Sequence, residues 1–72
     1  MKERFIDYRN NKLGAARDIR KRLKMANTGH TINIICKEEQ VIKLLREITF
    51  YDGVIVNRDT TDKGVYLTIR KA

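Results

Sequence analysis

The sequence predicts an α+β two-layer sandwich of order βαβαββ, with two helices packed on one face of a mixed four-stranded sheet. Three observations carry that expectation. Apolar residues recur at helical spacing over about 11–26 and again from Lys37 until Asp52-Gly53 breaks the pattern, and alternate at period two elsewhere. Asn27-Thr28-Gly29 and Asp52-Gly53 punctuate the chain where those helical stretches end. The C-terminal part then holds two apolar alternations separated by a polar, glycine-containing stretch, the pattern of an antiparallel hairpin.

Residues 3–8 read as the first strand, because Ile6 and Tyr8 share one face. Asn10 and Asn11 are N-cap candidates for the first helix. At about 100° per residue, Leu13, Ala16, Ile19, Leu23 and Ala26 fall on its core side. Arg17, Lys21 and Lys24 lie opposite, with Arg20 and Arg22 flanking. The second strand, 31–36, turns Ile32, Ile34 and Cys36 one way and Asn33 and Ile35 the other. Lys37-Glu38-Glu39 opens the second helix with acids where the helix dipole favours them. Its core face is Val41, Leu44, Leu45 and Ile48, with Ile42 at the edge and Glu39, Lys43, Arg46 and Glu47 in water. Strands over 54–57 and 65–70 close the fold around a loop at 58–64. Right-handed crossovers put both helices on the same face. The other face is left uncovered, and alternation assigns to it Phe5, Asn33, Ile35, Ile55, Tyr66 and Thr68.

Seventy-two residues make one domain, 1–72, which buries only about 60% of its unfolded surface. A hydrophobic content of 42% is enough for a packed core despite 35% charged residues. A lone cysteine, Cys36, leaves no internal disulfide and fits a reducing compartment. Residues 1–9 hold no signal-peptide-like apolar stretch, and no run approaches bilayer-spanning length. The expectation is a soluble, cytoplasmic protein without a membrane partner.

Several segments together resemble the TusA/SirA-like family of small sulfur-carrier-like proteins. Ile6-Asp7-Tyr8-Arg9 is similar to the family's apolar-Asp-apolar-Arg end of the first strand, and Thr28-Gly29-His30-Thr31-Ile32 to its small-Gly entry into the second. Tyr66-Leu67-Thr68-Ile69-Arg70-Lys71 resembles its basic-ended last strand. The resemblance implies the βαβαββ fold. It does not extend to the chemistry: the family's sulfur carriers hold Cys-Pro-x-Pro at the start of the first helix, whereas this chain has Lys12-Leu13-Gly14-Ala15-Ala16 there. The implied protein is a family member without the sulfur-transfer centre. Cys36, on the core face of the second strand, reads as a small hydrophobe.

Charge supplies the functional hint. Nine of the sixteen Lys and Arg residues precede residue 28, against three acids, so this segment holds +6 of the net +7. Its densest part is the first helix, where Arg17, Arg20, Lys21 and Lys24 form a row suited to phosphates along a nucleic-acid backbone. Asp18 is the one acid on that helix, so i,i+4 pairing offsets few of the cations. The same row could dock an acidic protein. The uncovered sheet face, through Phe5, Ile35, Ile55 and Tyr66, offers an interface to a second copy or another protein. His30 stands alone in a turn, and Asp59, Asp62 and Gly64 do not match a calcium-loop spacing. The four glycines are isolated and form no phosphate loop. No catalytic residue, cofactor or metal is expected. The sequence therefore points to a non-enzymatic basic binding protein that contacts RNA or DNA. Its alternative is a protein–protein adaptor, or a degenerate sulfur-relay partner lacking the catalytic cysteine.

Overall fold

Alternation in the two central strands decides which side of the sheet the helices cover. A computed structural model of the chain describes residues 4–72, so Glu3, placed in the first strand by its sequence, lies outside the described residues. The elements are β1 (Ile6–Asp7), α1 (Ala15–Met25), β2 (Thr31–Cys36), a 3-10 turn (Glu38–Gln40), α2 (Val41–Phe50), β3 (Gly53–Thr61) and β4 (Gly64–Lys71). They build one four-stranded sheet of order β1-β2-β4-β3. β1 runs parallel to β2, and β4 runs antiparallel to both of its neighbours, β2 and β3. The fold is the expected α+β arrangement of two helices and a mixed sheet.

Ile32, Ile34 and Cys36 of β2 and Val65, Leu67 and Ile69 of β4 project to one side. There they meet Ala15, Ala16, Ile19 and Leu23 of α1 and Val41, Leu44 and Ile48 of α2, and all are buried. Each large aliphatic side chain taken from water contributes roughly 1.5–3 kcal/mol, so this single layer supplies most of the drive to fold. Gln40 is the buried polar side chain of this layer. It accepts from the Lys37 backbone N–H (2.7 Å) and donates to the Tyr8 carbonyl (2.8 Å), tying the start of α2 to the end of β1.

The helices run side by side in the same direction, and one side chain caps both. Lys71 Nζ donates to the carbonyls of Leu23 and Tyr51, each at 3.0 Å. These belong to the last turn of α1 and the C-cap of α2, ends that otherwise leave carbonyl groups without partners. Asp52, in the left-handed region at φ 64°, turns the chain from α2 into β3. Gly53 follows because a Cβ there would stand 2.7 Å from Ile48 Cγ2 and 3.0 Å from the Ile48 carbonyl oxygen.

Several expected details change. The first helix starts at Ala15, not near 11, because Asn11 builds a preceding turn: its Oδ1 accepts from the Gly14 N–H (3.0 Å) and its carbonyl from Ala15 N–H (3.1 Å). Leu13 sits in that turn and is 94% exposed, although helical spacing places it on the core side. Glu47 is half-buried against Arg20 instead of standing in water. The hairpin loop shrinks from 58–64 to Asp62-Lys63, since Thr61 already pairs with Gly64. Residues 58–61 extend β3 because it is an edge strand, where polar and β-branched side chains meet solvent at no cost. A register shift between Ile55 and Asn57 makes a bulge at Val56.

A candidate nucleic-acid interface on the first helix

The 11 residues of α1 present five cations, and their neighbours divide them into two groups. Asp18 neutralises one. It accepts from Tyr8 Oη at 2.5 Å and from Arg22 Nε at 2.8 Å. Burial pushes the Asp18 carboxyl up, but these two hydrogen bonds outweigh it and hold it below the usual range. Burial, together with that same carboxylate, pushes the Tyr8 phenol well above its ordinary value, so Tyr8 stays a donor. Glu47 takes the second cation, Arg20, at 2.7 Å. Arg20 is thereby drawn sideways onto α2, its charge engaged by Glu47 while part of the guanidinium remains exposed.

Arg17, Lys21 and Lys24 are exposed, and among the described residues none of them has a carboxylate in ion-pair range. At about 1.5 Å per residue they form a row roughly 10 Å long on one side of the helix. Lys24 leans over the ring of Tyr51, with Nζ 5.3 Å from its centroid, and the Arg20 guanidinium lies 5.9 Å from the same ring. Tyr51 in turn meets Phe50 edge to face, at 4.9 Å between centroids. The cation row therefore ends against an aromatic pair at the C-terminus of α2, and Phe50 is 76% exposed. Helical spacing and charge do not single these two residues out. Two of the chain's five aromatic side chains stand next to each other there, just before Asp52-Gly53, and that adjacency is the signal that marks them.

The uncovered sheet face holds five of the six residues expected on it, Phe5, Asn33, Ile35, Tyr66 and Thr68. Phe5 and Tyr66 pack edge to face at 5.4 Å, and Ile35 lies opposite Tyr66 in the β2–β4 ladder. Ile55 is the exception. It pairs with core-facing Ile69 and packs against the core, so it faces the helices. The register of β3 is set by its pairing with β4, which turns Val54 to the open side opposite Arg70 and Ile55 inward. Much of the face is polar: Thr68 Oγ1 donates to Asn33 Oδ1 (2.9 Å), and Arg9 pairs with Asp7 at 2.7 Å.

Chemistry elsewhere is sparse among the described residues. No group of three or more His, Cys, Asp or Glu side chains is placed to hold a metal ion. His30 is exposed in its turn. Cys36 is fully buried, and burial pushes its thiol up, away from the thiolate form. No described helix is long and apolar enough to cross a membrane. Compared with known proteins, the chain matches no family model, no curated protein and no solved structure.

Proposed function

We propose that this chain is a binding protein without a reaction of its own, which holds RNA or DNA by its phosphates along Arg17, Lys21 and Lys24. One observation carries the reading: α1 neutralises Arg20 and Arg22 locally but leaves these three cations exposed in a row. They also belong to the segment that carries nearly all of the net charge. Cys36, buried in the core, supplies no accessible thiolate for sulfur chemistry. On this reading the chain is a TusA/SirA-like domain with Lys12-Leu13-Gly14 in place of the reactive cysteine segment.

Fluorescence anisotropy with a labelled 20-nucleotide RNA and its DNA counterpart tests it. Binding should be strong at about 50 mM salt and fall steeply by about 200 mM, with each phosphate contact adding roughly 0.7–0.9 to the log–log salt slope. The double variant K21E/K24E should lose about two contacts' worth of slope and most of the affinity. Its far-UV circular dichroism should match the parent, because both side chains are exposed. No binding at about 50 mM salt, with an acidic protein retained on the immobilised chain instead, overturns the proposal.

A further inference from the structure

We infer that Phe50, backed by Tyr51, is a base-stacking platform at the end of the cation row, and that the ligand is a single strand rather than a duplex. The inference rests on the nucleic-acid reading above and narrows it. Phe50 occupies the last turn of α2 and shows about three quarters of its surface to solvent, so the ring is open to a planar partner. Its neighbour Tyr51 links it to the cations. Arg20 joins α1 to α2 through Glu47, Arg20 and Lys24 both lie against the Tyr51 ring, and Tyr51 holds Phe50 edge to face.

A duplex keeps its bases stacked inside and offers this surface only phosphates. A single strand can lay phosphates along Arg17, Lys21 and Lys24 and turn the next base onto Phe50. Aromatic stacking is tolerant of sequence because every base has a π-face, while the adjoining cations track the backbone. The combination is selective for strandedness and indifferent to sequence. The aromatic pair on the open sheet face does not serve this purpose, since Phe5 and Tyr66 are half-buried against each other on the far side of the sheet from α1.

The test titrates the full chain and two variants, F50A and F50W, with labelled 12-nucleotide oligo(U) and a 12-base-pair RNA duplex. The parent should prefer the single strand. F50A should weaken oligo(U) binding roughly 5- to 150-fold, the change corresponding to about 1–3 kcal/mol per stacked base, and leave duplex affinity and the salt slope unchanged. F50W should retain oligo(U) affinity, with its indole fluorescence quenched on binding. Phe50 lies outside the core, so the F50A melting curve should overlay the parent's and keep the comparison clean. If F50A binds oligo(U) like the parent, or loses single strand and duplex equally, the stacking platform is wrong while the phosphate row stands. If the parent binds neither nucleic acid, both readings fall.

Discussion

Asp7 and Arg9 show how a single pair sets a response to acid. Arg9 donates to the Asp7 carboxylate through its side chain and its backbone N–H, which holds the carboxyl down to about 2. The folded-state value lies below the unfolded one near 4. The pair's contribution is therefore fully present above about pH 4 and is lost as pH falls toward 2. Substituting D7N should flatten the loss of urea resistance between about pH 4 and pH 2. A residual slope should remain from Asp18, which is also held low. An unchanged acid slope in D7N would show that the pair makes no difference to folding. The same guanidinium reaches the Lys63 carbonyl at 3.0 Å, so Arg9 also fastens the hairpin turn to the end of β1.

At the level of elements, the two helices depend on each other through their ends. Lys71 reaches under both C-termini from the last residue of β4, and its ammonium satisfies one carbonyl in each. A K71M variant keeps the length of the side chain but removes the donor, leaving two part-buried carbonyls without it. The expected cost is about 1–3 kcal/mol, with amide exchange accelerated first in the last turns of α1 and α2. Uniform acceleration throughout the domain would instead mean that the helix ends do not open separately. Because Lys24 and Tyr51 lie at those ends, fraying there should also weaken single-strand binding in K71M.

Across the whole molecule the net charge of +7 is spread over a body of 31 × 30 × 16 Å. At about 0.01 M salt the screening length is about 30 Å, so every cation feels the rest; at about 0.15 M it is about 8 Å and only neighbours interact. The melting temperature of the free protein should rise between those two conditions as self-repulsion is screened. A fall would mean that the ion pairs, such as Arg20–Glu47 and Arg22–Asp18, outweigh it. Added nucleic acid should reverse the trend, stabilising the fold most at low salt, where the counter-charge binds best.

Element order, helix-face assignment and the core were legible in the sequence because they follow from periodicity, which is local. Ile19, Leu23, Leu44 and Ile48 recur at helical spacing on the faces that the structure buries, although α2 also shows Ile42 and Phe50 to solvent. The run from Arg17 to Lys24 was legible for the same reason. Three things depend on which elements become neighbours, and so the tertiary structure alone decided them. Pairing with β4 fixed the register of β3 and turned Ile55 inward. Placing α2 beside α1 brought Glu47 to Arg20 and paired its charge. The same placement set Tyr51, more than twenty residues away in sequence, against Lys24, with Phe50 beside it. Charge and hydrophobic period belong to each segment by itself; the meeting of the α1 cations with the Tyr51 ring exists only once two segments are packed together.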